Sequence, residues 1–319
     1  MRTIEKQLKQ QLVGGFIKYY YKMLRRYAKI NGIIIKNLGD KFWVKMDKTV
    51  EVLSSRGNLK KGKILVGDKV EVDMSERVIS KVLSRKNELV RPPVANIDNL
   101  FIVIASVPKP DFFVVDKLIL FAFSKSINPV IVINKDDIRD EELNNYVIST
   151  YQNVCQIFCV SASIGYNIKE LADCMSGCIN AMAGQSAVGK SSLLKAINPN
   201  FTSKVGELSK KIARGKNTTR HCEIFELDDN SFVIDTPGFS LLDEAYLPFK
   251  YDQLASYYPD FTKLASGCRF ANSCMHINES EKDCAIKRAV KAGDLSSSRY
   301  ERYCQIYKVL ESRWKNEYK

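Results

Sequence analysis

The chain has 319 residues, 45% of them apolar and 27% charged, with a formal net charge of +13. That length holds two or three domains, and that balance belongs to a globular chain, not a disordered one. No apolar run approaches the roughly 20 residues that span a bilayer, and none near the start reads as a secretory signal, so a cytoplasmic protein with no membrane partner is expected. Nine cysteines, an odd number scattered along the chain, fit a reducing compartment and direct attention to metal ligation. The charge is lopsided: residues 1–93 carry 22 basic and 9 acidic side chains, which accounts for the whole excess and predicts a polyanionic partner.

Residues 1–30 read as a basic extension in which Tyr19, Tyr20 and Tyr21 either stack on bases or pack on the next domain. From 31 to 93, "GIIIKN", "KFWVKM", "TVEVLS", "DKVEVD" and "RVISKVL" predict five short strands of a small β-barrel; oligonucleotide-binding and SH3-like barrels leave the same trace. Pro92 and Pro93 interrupt strand pairing and set the boundary. From 94 to 242, "NLFIVIAS", "PVIVINK" and "QIFCVSA" are near-continuous apolar strands alternating with helical stretches, the pattern of an α/β domain with a largely parallel sheet. Residues 243–319 turn helical around a cysteine-rich insert, and the two basic, tyrosine-rich helices at the end either lie against RNA or pack on that insert.

Gly184, Gly189, Lys190 and Ser191 fit the phosphate-loop pattern, which makes Gly184, Gln185, Ser186, Ala187, Val188, Gly189, Lys190, Ser191 and Ser192 candidate nucleotide ligands. Glycines let backbone N–H groups curl around phosphates, the lysine neutralises the outer phosphates, the serine hydroxyl serves magnesium, and the following helix adds its dipole. "NKDD" follows a buried strand and offers Asn134, Lys135 and Asp137; a carboxylate at Asp137 accepts from both the N1–H and the exocyclic amine of guanine. Ser161 and Ala162, at the end of another strand, face the same base through backbone N–H. "FVIDTPG" supplies Asp235 for a magnesium-bound water and Gly238 for the terminal phosphate, and "RGKNTTR" offers Thr218 and Thr219. Together these select GTP over ATP. Cys268, Cys274, His276 and Cys284, spaced C-x5-C-x-H-x7-C, form a soft tetrahedral set for one structural zinc ion. Cys155, Cys159, Cys174, Cys178, Cys222 and Cys304 read as packing residues.

The order "NKDD", "SAS", "GQSAVGKSS", "NTTR", "DTPG" resembles the circularly permuted RsgA or YjeQ family of ribosome-assembly GTPases, and "RKNELVRPPVANID" and "CRFANSCMH" resemble its linker and zinc segment. The resemblance implies an oligonucleotide-binding barrel, a permuted GTPase domain and a zinc-binding helical domain. It further implies GTP hydrolysis stimulated by the small ribosomal subunit during late maturation, with rRNA as partner and a monomeric chain. Lys190, Asn217, Thr218, Thr219 and Gly238 would then serve the chemistry, and Ser191, Asp235 and Thr219 the magnesium, the family pattern allowing either threonine. Two positions depart from expectation: Phe239 stands where many GTPases place a water-orienting glutamine, and Asn217 where the family carries histidine. An amide orients water but takes up no proton, so slow intrinsic turnover is expected. Because "DTPG" leads straight into the C-terminal domain, the order also predicts that loss of the terminal phosphate repositions the zinc segment.

Overall fold

The computed structural model describes residues 29–57, 59, 64–90, 92–201, 224–228, 230–234 and 247–317. They fall into two compact units, the first running to Asn96 and also taking Ile224, the second holding the other described residues from Ile97 onward.

The first unit is a closed barrel of β1 (Lys29–Leu38), β2 (Lys41–Met46), β3 (Thr49–Ser55), β4 (Lys69–Asp73) and β5 (Val78–Val82), in the order β1-β2-β3-β5-β4. β3 meets β5 in parallel while the other pairs are antiparallel. A simple meander has no parallel pair, so this closure is that of the oligonucleotide-binding type and not the SH3-like alternative. Alternating inward residues, among them Ile34, Phe42, Val44, Leu53, Val70, Val72 and Ile79, fill the interior. β1 borders both β2 and β4, and at Gly32 a Cβ would stand 2.5 Å from Val44 Cγ1, so glycine is what the bend there permits. The linker is fastened on afterwards. Arg85 donates to the fully buried Asp68 at 2.7 and 2.9 Å, Asn96 Nδ2 donates to Gly67 O at 2.9 Å, and β6 (Glu88–Leu89) pairs with β7 (Val94–Ala95). Pro92 and Pro93 occupy the turn between those two short strands.

The second unit is built on a six-stranded sheet in the order β10-β9-β8-β11-β13-β12: β8 (Asn99–Ala105), β9 (Asn128–Asn134), β10 (Gln156–Cys159), β11 (Ile179–Ala183), β12 (Ile224–Asp228) and β13 (Ser231–Ile234). The pairs from β10 through β13 run parallel. The helices are α1 (Phe112–Ser124), α2 (Glu141–Tyr151), α3 (Ile168–Met175) and α4 (Lys190–Ile197). β8, which opens the guanine-reading half, lies beside β11, which opens the phosphate half, so two halves written in reversed order still share one sheet.

An asparagine ladder pins that junction at the N-terminal edge of the strands. Asn128 Nδ2 donates to Asn99 Oδ1 (3.1 Å) and Asn99 Nδ2 to Asn180 Oδ1 (2.9 Å), while Asn180 Nδ2 reaches the carbonyls of Met175 and Phe232 at 2.9 and 3.1 Å. A one-residue slip of any strand would break it.

The C-terminal segment holds a turn at Tyr251–Tyr257, α5 (Pro259–Thr262), the cysteine-rich knot, α6 (Ala285–Ala292) and α7 (Ser297–Glu317). The tyrosines of α7 turn inward, which favours packing over an RNA-facing ring: Tyr303 is fully buried, 5.1 Å from the Tyr258 ring and 4.9 Å from that of Phe261. α1 is buried on nearly every side because β8 and β9 cover one flank and α7 with the Tyr251–Tyr257 turn cover the other.

Asn180→Ala is expected to lower stability by about 2 kcal/mol in urea unfolding, since it removes the amide's bonds to the carbonyls of Met175, Cys178 and Phe232 and takes the acceptor from Asn99 Nδ2. The Tyr258 hydroxyl is buried with no hydrogen-bond partner among the described residues. Tyr258→Phe is therefore expected to leave stability unchanged or raise it by up to about 1 kcal/mol; a large loss in the same unfolding assay would show a missing partner.

Candidate functional site

β8, β9, β10, β11 and β13 end along one edge of the sheet, the edge where open α/β sheets take ligands. After β11 the chain folds sharply through Gly184 (φ 137°), Ala187 (φ 67°) and Gly189 (φ 97°) into α4. A Cβ at Gly184 would stand 2.1 Å from the Val103 carbonyl oxygen, so the loop is pressed against β8 as only glycine allows. Lys190 Nζ bends back over this loop and donates to the carbonyls of Gly184 (2.6 Å) and Gln185 (2.8 Å). No side chain caps α4 at Gly189, which leaves the first-turn N–H groups for an anion. Val188 is buried, whereas Ser186, Ala187, Ser191 and Ser192 are exposed along the rim.

Asn134, the last residue of β9, is buried and touches both neighbouring loops. Its Nδ2 donates to Val188 O in the phosphate loop at 2.9 Å, and its Oδ1 accepts from Ala162 N–H at 3.3 Å. A Cβ at Gly189 would lie 2.3 Å from that same Nδ2. Lys135 adopts a left-handed backbone (φ 68°) and its Nζ donates to Val107 O beyond β8 at 2.8 Å. Asp137 is exposed, and its Oδ1 accepts from the Ser161 hydroxyl at 2.5 Å. That hydroxyl above all, with lesser help from Ser163 and Lys135, holds the Asp137 carboxyl below the usual carboxylate range. An ionised carboxylate is the form that accepts two hydrogens from one base edge. Ser161 N–H donates to Tyr166 O and Ser161 O accepts from Tyr166 N–H, both at 3.1 Å, so the N–H expected to face the base is engaged and the serine offers its side chain instead. Sequence reasoning missed that hydroxyl and the Val107 carbonyl; the small residue beside the base-reading loop was the only signal for the first. Asn217, Thr218, Thr219, Asp235 and Gly238 lie outside the described residues, as do Phe239 and Cys222.

Cys268, Cys274, His276 and Cys284 are all buried, with ligand atoms within 4.8 Å of one another. His276 Nδ1 stands 3.2, 3.4 and 3.7 Å from the sulfurs of Cys274, Cys284 and Cys268. Tetrahedral zinc with Zn–S near 2.3 Å and Zn–N near 2.0 Å requires N–S edges of about 3.5 Å, which the three His276 distances bracket, so this buried set of three cysteines and one histidine is compatible with one such ion. Burial pushes the Cys274 thiol up to about 12 and holds His276 below its usual value, leaving the imidazole neutral as a ligand must be. The knot is braced from outside: Glu279 accepts from the N–H groups of Met275 (2.8 Å) and Ile277 (2.9 Å), and Tyr300 and Tyr303 donate to the carbonyls of His276 (2.6 Å) and Met275 (2.7 Å). Elsewhere, burial raises the thiols of Cys155 (to about 12), Cys159 and Cys174 as well; none of these three joins a cluster of metal-ligating side chains among the described residues, which suits packing.

A phosphate loop and a guanine-reading segment joined in one sheet, in reversed chain order, define a circularly permuted GTP-binding protein. A sequence profile described as RsgA GTPase matches residues 82–245. The Small ribosomal subunit biogenesis GTPase RsgA of Ruminiclostridium cellulolyticum is 39% identical over 294 residues, covering 88% of this chain and 93% of the relative. Among solved structures, YjeQ from Thermotoga maritima superposes with a TM-score of 0.75 at 32% identity, covering 89% of this chain and 99% of its own. YloQ, a circularly permuted GTPase, gives 0.75 at 28% identity over 90% and 97%. The chain belongs to the RsgA GTPase family.

Gly189→Ala is expected to push Asn134 off Val188 and weaken GTP binding by at least about 100-fold, some 3 kcal/mol, in titration with a fluorescent analogue. Cys284→Ser is expected to lose the equivalent of bound zinc by elemental analysis and to reduce helical circular dichroism, because metal binding and folding of the knot are one event.

Proposed function

We infer that the chain is a GTP hydrolase that acts in late maturation of the small ribosomal subunit and is stimulated by that subunit. The observation that carries this reading is Asn134, whose carboxamide joins the phosphate loop to the base-reading loops. The names of the curated relatives, small ribosomal subunit biogenesis GTPase, support the cellular role.

In this reading Asn134, Lys135 and Asp137 with Ser161 and Ala162 take the guanine, and residues Gly184 through Ser192 take the phosphates. Lys190 balances charge on the outer phosphates. Ser191, Asp235 and Thr219 would hold a magnesium ion, which neutralises phosphate charge when bound. Gly238 would present its N–H to the terminal phosphate, Asn217 would orient the attacking water, and Thr218 is the alternative to Thr219 at the magnesium. Cys268, Cys274, His276 and Cys284 hold one structural zinc. The working domains are a basic extension at 1–30, the barrel at 31–93, the permuted GTPase domain at 94–242 and the zinc-binding domain at 243–319. The basic barrel meets rRNA, and the chain works as a cytoplasmic monomer; no helix among the described residues is long and apolar enough to cross a membrane.

Asn217 favours a second reading, a nucleotide-gated rRNA-binding checkpoint in which hydrolysis is incidental, since an amide takes no proton from the attacking water. Phosphate release from GTP and ATP, with and without small subunits, separates the two. Acceleration of GTP alone is expected, with Asn217→His faster still. Tight GTP binding without acceleration would establish the checkpoint.

A further inference from the structure

The strongest polar cluster outside the nucleotide and metal sites lies between α1 and α7. Asp116, in the middle of α1, is fully buried, and Arg299 is 2% exposed. Asp116 Oδ1 accepts from Arg299 Nη1 at 2.5 Å, and its Oδ2 accepts from Arg302 Nε. Arg299 turns its Nε to Asp260 Oδ2 at 3.1 Å, so two carboxylates balance two guanidiniums. Burial opposes the charge on both arginines, but Asp116, joined at Arg299 by Asp260, more than offsets it and keeps them protonated. Aromatic rings close the cluster: Arg299 stands 4.6 Å over Tyr258 and 5.3 Å over Tyr151. α2 joins through Tyr146, whose hydroxyl lies 2.8 Å from Ser298 Oγ and accepts from Arg302 Nη1 at 2.9 Å.

Each helix in this cluster leads to a functional end. α1 follows the loop whose Val107 carbonyl is held by Lys135, and α2 is tied to the guanine-reading segment by Asn144 Nδ2 donating to Asp136 Oδ1 at 2.8 Å. From the other side, Tyr300 and Tyr303 of α7 grip the carbonyls of the cysteine knot. Further along α7, Tyr307 packs edge-on against Tyr251 at 5.4 Å and Lys250 lies 3.8 Å over the Trp314 ring. Rotating α7 would separate these pairs and leave charges unpaired in an apolar setting, which is strongly unfavourable.

We propose that Asp116 is a positioning residue whose clasp on Arg299 and Arg302 fixes the cysteine knot to the guanine-reading end of the sheet as one rigid body. A partner that grips the knot therefore acts on a nucleotide site already held in place, and the swing of the knot expected from the order of the motifs does not occur. The functional half of this statement rests on the subunit-stimulated GTPase reading above; the mechanical half does not.

The test pairs a distance measurement with kinetics on the full-length, metal-loaded chain. Non-cysteine labels introduced at the exposed Lys169 and Lys291 report the separation of sheet and knot. The wild type is expected to give one narrow distribution, the same with a GTP analogue and with GDP. Asp116→Asn should broaden it and lower the maximal subunit-stimulated rate by about tenfold, with unstimulated hydrolysis and subunit affinity unchanged. A wild-type distance that shifts with the nucleotide, or a narrow distribution in Asp116→Asn, overturns the proposal. Equal loss of both rates would reduce Asp116 to a structural role, and loss of subunit affinity alone would make the cluster a docking surface; either result also overturns it. Should Asp116→Asn fail to fold, Tyr146→Phe removes only the peripheral bonds to Ser298 and Arg302, and the same two readings, smaller in size, decide. If subunits fail to stimulate even the wild type, the functional reading falls while the distances still judge the clasp.

Discussion

The carboxamide of Asn134 sits where three stretches of chain meet: the end of β9, the phosphate loop at Val188 and the base-reading loop at Ala162. A buried amide must satisfy both its donor and its acceptor side, so fixing one loop fixes the other. This is how the site tolerates reversal of its parts along the chain. Nothing at Asn134 depends on whether residue 188 precedes or follows residue 134; it depends on β8 and β11 being neighbours, which the asparagine ladder at the far edge secures.

Much of this is legible in the amino-acid order because it is local. The barrel strands alternate apolar and polar residues with a period of two, and β8 and β9 are near-continuous apolar runs, so each announces its own burial. The phosphate loop, the guanine segment and the cysteine spacing are short motifs that carry their chemistry with them. What stays hidden is pairing over distance. Asp116 reads as a polar interruption in a greasy helix, and Arg299 and Arg302 read as two more positive charges in a basic tail. Only the fold brings an aspartate and two arginines more than 180 residues apart into one buried cluster.

The same blindness affects charge counting. Residues from Lys263 onward include 12 basic side chains, which a sequence reading offers to RNA. Inside the fold, Arg299 and Arg302 serve Asp116, Lys287 Nζ binds the carbonyls of Ile277 and Glu279, and Arg288 binds those of Lys282 and Gly267. In the barrel Arg56 pairs with Asp73 and Glu76, Arg77 with Glu51 and Arg85 with Asp68. Net charge survives such pairing, but the number of cations free to meet phosphates is smaller than the count of lysines and arginines.

The clasp also has a consequence for the order in which the protein is made. A ribosome delivers Asp116 long before Arg299 and Arg302, at a pace of about 5–20 residues per second. Throughout that interval the carboxylate at the centre of α1 has no partner and keeps the flank of the helix wet. A chain broken off before residue 299 would carry every motif of the GTP site yet leave Asp116 without its two arginines and the flank of α1 that α7 covers open to water.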